Sequence, residues 1–179
     1  DFDCDGREDA FRTTGSAWEY SPDARGDWKH LNSSSIQLHN LRFGDFDYDG
    51  CTDVFRARPQ SSTWYVSKGG RGGWDKLNVS SVGVEYLGFG NFDGHEGTDI
   101  LKANGSSWRI SWNGSSSWSH IMNAPYRMED LAFGDFDADG ATDVFYATGS
   151  QWWFYSVRHR KWTPLSYSRL TVDRLAFGD

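Results

Sequence analysis

Residues 41–55 read Leu41-Arg42-Phe43-Gly44-Asp45-Phe46-Asp47-Tyr48-Asp49-Gly50-Cys51-Thr52-Asp53-Val54-Phe55. A short strand-like opening leads into carboxylates at alternate positions, then into a second apolar run. The opening returns as Leu87-Gly88-Phe89-Gly90-Asn91, Leu131-Ala132-Phe133-Gly134-Asp135 and Leu175-Ala176-Phe177-Gly178-Asp179, at offsets of 46, 44 and 44 residues. Trp28, Trp74, Trp118 and Trp162 keep the same period. Trp18, Trp64, Trp108 and Trp153 form a second series, each in a Trp-x-(aromatic or aliphatic)-Ser pattern, which leaves Trp112 and Trp152 outside the repeat. Self-similarity at this period marks a repeat architecture, and it runs through all of residues 1–179 as one domain or part of one.

Each repeat is expected to hold four short strands. In the unit that starts at Leu41 they fall near 40–45, 53–58, 62–68 and 74–79, with the glycine run 69–73 as the last turn. One small sheet cannot bury both faces, and stacking equivalent sheets around an axis solves that. The expected fold is therefore all-β, a β-propeller of four-stranded blades at 41–86, 87–130 and 131–174. The fourth blade is split between 175–179 and 1–40. A sandwich of meanders is the competing architecture, but it would place the repeated tryptophans in inequivalent surroundings. Ring closure reads three ways: four blades in one chain, eight in a homodimer, or a segment of a longer chain. Asp1 and Asp179 occupy the same motif position, which favours the last two.

Composition agrees. Hydrophobic residues make up only 37% of the chain while aromatics reach 17%, so the core must be largely aromatic. No apolar run approaches the ~20 residues of a membrane helix, and no membrane span is expected. The net charge of −7 is unevenly spread. Residues 1–9, 45–53, 91–99 and 135–143, with Asp179, hold 17 of the 25 acidic residues and a single basic one, Arg7. The remainder carries 17 basic against 8 acidic residues, an excess of nine positive charges without the basic stripe expected of a nucleic-acid binder. Carboxylates crowded within a few residues repel one another unless a cation joins them.

The acidic windows have the form of cation loops. Asp1, Asp3, Asp5 and Asp9 share their spacing with Asp45, Asp47, Asp49 and Asp53, and with Asp135, Asp137, Asp139 and Asp143. A glycine at the sixth position allows a sharp bend, and the seventh residue (Arg7, Cys51 or Ala141) offers its backbone carbonyl. This number of hard oxygen ligands suits Ca²⁺ better than Zn²⁺ or Mg²⁺. The third window departs, with Asn91, Asp93, His95, Gly97 and Asp99 as its ligand positions and Glu96 in place of the bending glycine. It is expected to be the weakest of the sites, giving three or four Ca²⁺ per chain. An EF-hand is excluded, because position 12 is Arg12, Arg56 or Tyr146 rather than Glu.

The run Phe-Gly-Asp-Phe-Asp-x-Asp-Gly-x-Thr-Asp-Val, complete at 43–54 and 133–144, resembles the FG-GAP (VCBS-type) repeat of integrin alpha-subunit propellers and many secreted proteins. The resemblance covers the whole chain. It implies a β-propeller with Ca²⁺ in the loop between the first two strands of a blade, and an extracellular setting. It also implies a role in adhesion, carbohydrate binding or support of a secreted enzyme. The blades here are shorter than integrin ones. On this basis a carbohydrate-binding module is the leading expectation. A structural or adhesion module that binds extracellular protein, or its own copies, is the competing one.

Smaller features complete the sequence reading. Cys4 and Cys51 lie in successive loops, leaving a disulfide and two free thiols both open. Trp112 and Trp152, as the tryptophans outside the period, are the expected sugar-stacking residues. Asn32, Asn78, Asn104 and Asn113 begin Asn-x-Ser sequons. None of the five histidines sits in a recognisable catalytic pattern, and no enzymatic activity is expected.

Overall fold

The structure, a computed structural model, describes residues 1–177. Gly178 and Asp179 lie outside the described residues. The chain is all-β, with four antiparallel sheets among the described residues. By contacts it groups into two compact units, Asp1–Glu85 with Asn113–Ser115, and Tyr86–Trp112 with Ser116–Asp179.

The first unit holds two sheets. Strands β1 (Ala10–Thr13), β2 (Ala17–Ser21) and β3 (Lys29–Ser33) form a three-stranded meander. Strands β4 (Arg42–Gly44), β5 (Asp53–Arg58), β6 (Thr63–Ser67) and β7 (Asp75–Val79) form a four-stranded one. These last four lie within one or two residues of the expected spans. The second unit holds β8 (Gly88–Gly90), β9 (Asp99–Ala103), β10 (Trp108–Ser111) and β11 (Ser119–Met122), followed by β12 (Leu131–Gly134), β13 (Asp143–Ala147), β14 (Gln151–Ser156) and β15 (Lys161–Tyr167).

A tryptophan anchors every sheet. Trp18, Trp64 and Trp108 are fully buried, and each indole N–H donates to a backbone carbonyl 18 residues later: Ile36, Val82 and Tyr126, at 3.0, 3.0 and 3.3 Å. The bond ties the third strand to the segment that leaves the fourth, and it satisfies the one polar group of a buried ring. In the fourth repeat this partner is Trp152, whose N–H reaches Leu170 O at 2.9 Å. Trp152 also stands opposite Ala147, as Trp108 stands opposite Ala103. The repeat position is therefore Trp152 and not Trp153, and Trp152 is half-buried there. Tyr155 takes the place of the repeat serine: it stands opposite Val144, as Ser21, Ser67 and Ser111 stand opposite Ala10, Val54 and Ile100, and Ser156 follows one residue later, which moves the Trp-to-Ser spacing by one.

Trp112 is half-buried against the core of the second unit, and its backbone N–H donates to Ser116 Oγ at 2.7 Å. The hairpin turns explain some of the glycine usage. Gly70 has φ +66, and a Cβ there would meet Leu31 Cδ2 at 2.6 Å. The turn thus lies directly on the core of the neighbouring sheet.

Within each unit, adjacent loops clasp one another. Thr142 N–H donates to Asn91 O at 2.6 Å, and Asn91 N–H donates back to Thr142 Oγ1 at 3.0 Å. The same pair joins Thr52 N–H to Asp1 O at 2.7 Å and the Asp1 ammonium to Thr52 Oγ1 at 2.9 Å. The threonine at the eighth loop position therefore links one repeat to the loop before it. Cys4 and Cys51 reinforce the first clasp as a disulfide, with their Cα atoms 4.9 Å apart.

The first sheet carries no strand beside β1 among the described residues. Residues 175–179 were expected there. Leu175–Phe177 form no strand, and the Phe177 ring packs on Phe136 and Phe145, 5.6 and 4.9 Å between centroids. Phe43 packs the same way on Phe2 and Phe11, at 5.9 and 4.8 Å. With Phe133 on Phe92 at 5.6 Å, the Phe of three Phe-Gly pairs thus covers the loop phenylalanine of the repeat before it.

Replacing Thr142 by Val keeps the shape but removes the acceptor of Asn91 N–H. A part-buried donor left unpaired costs about 1–3 kcal/mol, so Thr142→Val should lower the urea midpoint by a matching amount with the slope unchanged. An unaltered midpoint would remove the clasp from the account.

Candidate metal loops

The loop joining the first two strands of each repeat is built around its ninth residue. Asp9 Oδ2, Asp53 Oδ2, Asp99 Oδ2 and Asp143 Oδ2 accept the N–H of Phe2, Phe46, Phe92 and Phe136, at 2.6, 2.9, 3.0 and 3.0 Å. In the first two repeats the other oxygen accepts an N–H from the next hairpin turn, Asp23 to Asp9 at 3.0 Å and Gly69 to Asp53 at 2.7 Å. The ninth carboxylate is thus a structural brace as well as a candidate ligand.

The first residue curls the loop. Asp1 accepts the N–H of Asp5 and Gly6, Asp45 those of Asp47, Tyr48 and Gly50, and Asp135 those of Asp139 and Gly140. The fifth residue accepts the N–H of the seventh in all three loops: Asp5 from Arg7, Asp49 from Cys51 and Asp139 from Ala141. Curling requires left-handed backbone twice. Gly6, Gly50 and Gly140 supply it at the sixth position, as their sequence position suggested. Cys4, Tyr48 and Ala138 adopt it at the fourth, with φ of 64, 67 and 58. Only Gly94 signals that second requirement in the sequence.

Three loops gather carboxylate oxygens. Asp1, Asp3 and Asp5 each bring an oxygen within 4.8 Å of the others, as do Asp45, Asp47 and Asp53, and Asp135, Asp137 and Asp143. Asp3 Oδ1 and Asp47 Oδ1 are buried without a hydrogen-bond donor. Such inward-facing, unsatisfied oxygen atoms fit a hard cation with oxygen ligands. In the third loop His95 stands against Asp93 at 3.2 Å, and no three of its acidic or histidine side chains converge in this way among the described residues. Asn91 Oδ1 is also buried there without a donor. Asp49 lies outside the converging sets, and Asp139 converges instead with Asp137 and His159.

Two loops also recruit basic side chains from outside the sequence windows. Lys68 pairs with Asp47 at 3.0 Å and His159 with Asp139 at 2.8 Å, both from turns between the last two strands. Arg7 pairs with Asp5 at 2.6 Å and Asp23 at 3.0 Å. These exposed pairs are each worth little on their own, but they sit where a divalent ion would compete for the same carboxylates.

Burial pushes the Asp53 and Asp143 carboxyls up to about 6, with the charges of Asp47 and Asp49, or Asp137 and Asp139, adding to the effect. Backbone N–H donors from Phe46 and Phe136 offset it only in part. Outside the loops, two sequons are already engaged: Asn32 Nδ2 donates to Gly70 O and Gly72 O at 3.0 and 3.1 Å, and Asn78 Nδ2 to Gly114 O at 3.0 Å.

The outer tryptophan series is not core. Trp28 is 41% exposed, with the Arg12 guanidinium 4.1 Å from its ring centre. Arg56 lies 4.2 Å over Trp74, and Lys102 lies 4.0 Å over Trp118. Comparison with known proteins adds no relative: no family model matches the chain, and no curated protein shows significant similarity to it.

The raised carboxyls set a pH dependence. Their folded-state values lie above the ordinary carboxylate value of about 4. Holding them ionised in the metal-free protein therefore costs stability above pH 6, and the cost is relieved as pH falls through 6. A bound cation needs the ionised form, so protons compete with it in the same range. The rise in melting temperature on adding Ca²⁺ should be larger at pH 7.5 than at pH 5.5. An equal rise at both would exclude Asp53 and Asp143 as ligands.

Proposed function

We propose that the chain is a calcium-stabilised β-propeller binding module that works outside the cell, without catalytic activity of its own. The observation that carries this reading is the recurrence, in three repeats, of one loop built by the same hydrogen bonds around converging carboxylate oxygens. A device repeated at equivalent places serves the architecture rather than a single reaction. The ligand sets follow as Asp1, Asp3 and Asp5, then Asp45, Asp47 and Asp53, then Asp135, Asp137 and Asp143. Bound Ca²⁺ would neutralise the pools and stabilise the folded state by mass action.

The propeller reading is supported by the equivalence of the sheets, each with its anchoring tryptophan, and by the clasp that joins two adjacent loops within each unit. The bare edge of β1 supports a blade completed by a further Leu-x-Phe-Gly strand, from the same chain, a second copy or a longer one. A cavity of about 520 Å³ adjoins that strand, lined in part by Phe2, Phe11 and Phe43.

Carbohydrate is the ligand class this module suits best. Three repeats present a basic group stacked on an aromatic ring, and Arg56 and Arg58 both lie over Tyr65, at 5.5 and 5.9 Å. Ring faces stack on sugars while guanidinium groups take carboxylate or sulfate. With Ca²⁺ neutralising the loops, the remaining positive excess favours anionic glycans.

A glycan array probed in Ca²⁺ should show selective binding to uronate-bearing or sulfated glycans, reduced by Arg56→Ala. Silence across the array, with self-association in sedimentation, would replace this ligand class with a structural or adhesive role.

A further inference from the structure

The fourth repeat breaks a rule that the other three obey. Arg12, Arg56 and Lys102 occupy one position on the second strand of their repeats, and each sets its cation 4.0–4.2 Å over the outer tryptophan. The register places Glu19, Tyr65 and Arg109 opposite them. In the fourth repeat the same position is Tyr146, and Trp153 stands opposite it. The outer tryptophan, Trp162, is retained. The repeat has kept the ring and lost its cation.

Aromatic rings surround the place the cation would take. Tyr126 stacks on Tyr146, with 3.7 Å between centroids and 29° between planes. These two, with Trp153, Trp162 and Thr148, line a cavity of about 330 Å³ within the second unit. None of the five carries a charge. Among the described residues no Lys or Arg lies over any of the four rings. Trp162 is held from behind by Trp108 and Tyr155, at 5.7 and 5.2 Å, so its orientation is fixed. The Asp130 carboxylate is close enough to act on Tyr146 and adds negative potential.

We propose that this aromatic cage binds an organic cation, a quaternary alkylammonium group, supplied by a ligand in place of the side chain the other repeats use. Ring faces are electronegative and attract a cation most strongly where water is excluded. A trimethylammonium group is apolar on its surface and charged at its centre, which matches a cage with four rings and no carboxylate in its lining. A cavity at the small end of the about 300–1,000 Å³ range of ligand pockets suits a head group with a short tether. The inference rests on the contrast between repeats, and it holds whether or not the loops take Ca²⁺ or other surfaces take glycans.

The test is titration of the whole chain with choline and with 3,3-dimethylbutan-1-ol, which has the same shape without the charge. Tryptophan fluorescence and the methyl proton shift of the probe report binding. Choline should bind at least about tenfold more tightly than the alcohol, with its methyl signal moved upfield by the rings. Tyr146→Arg restores the side chain of the first two repeats and should abolish choline binding while the circular dichroism and thermal melt remain those of the parent. If that variant does not fold, Trp153→Arg, which copies Arg109 of the third repeat, makes the same test. A trimethyllysine peptide binding more tightly than choline would assign a protein tail as the source, and the reverse would assign a small molecule or lipid head group. Equal affinity for choline and the neutral alcohol would overturn the proposal, as would N-acetylglucosamine binding in choline's place. No choline binding at about 10 mM would overturn it too.

Discussion

The structure hangs on a carboxylate at the base of each loop, buried in three repeats and half-buried in the first. Asp9, Asp53, Asp99 and Asp143 sit at the first residue of the second strand or just before it. Each accepts the N–H of the loop phenylalanine seven residues earlier. That bond closes the loop and carries the phenylalanine into the core. In the first two repeats the same carboxylate also holds the hairpin turn between the third and fourth strands. Burying an anion is costly unless hydrogen bonds or cations compensate. The raised pKa of Asp53 and Asp143 shows that backbone donors alone do not fully compensate. The acidic pool around the brace thus connects loop shape to cation binding: the geometry that closes the loop also leaves oxygen atoms such as Asp47 Oδ1 without donors.

From the brace outward the repeats use one plan. The buried tryptophan ties down the exit of the fourth strand, the threonine clasp ties each loop to the preceding one within its unit, and the Phe-Gly phenylalanine covers the neighbouring loop. The tryptophan bond holds a repeat together, whereas the clasp and the phenylalanine join neighbouring repeats, which is why a single repeat would be unstable and the copies support one another. Variation between the repeats is seen at the second-strand position that faces the outer tryptophan. The cation over the outer tryptophan is kept in three repeats and exchanged for an aromatic cage in the fourth.

Much of this plan was legible in the sequence, because a fixed period exposes equivalent residues. The strands near 53–58 and 62–68, the alternation of loop carboxylates and the bending glycines all followed from spacing. The reading failed where local pattern and period disagreed. Trp153 matched the Trp-x-x-Ser pattern, yet Trp152 lies 44 residues after Trp108 and makes the anchoring bond to Leu170. Tyr155 stands where the other repeats have serine, and Ser156, one residue later, produced the false match. The left-handed backbone of Cys4, Tyr48 and Ala138 was invisible because those side chains ordinarily avoid it. Arg56 and Trp74, or Lys68 and Asp47, meet only once the hairpin register is known, and no spacing rule joins them in advance. Cys4 and Cys51 were placed in adjacent loops by the repeat, but their pairing depended on the approach of those two loops.

The central claim, that the acidic loops are cation sites with a structural purpose, is tested most directly by native mass spectrometry of the purified chain with and without a chelator. The account predicts three Ca²⁺ per chain, matching the three loops whose carboxylates converge. Exchange into chelator should remove all three together with a broadening of the charge-state distribution toward unfolded forms. A chain that takes up no Ca²⁺ at about millimolar supply and keeps its compact charge states would contradict it. The carboxylates would then be balanced by Lys68, Arg7 and His159 alone.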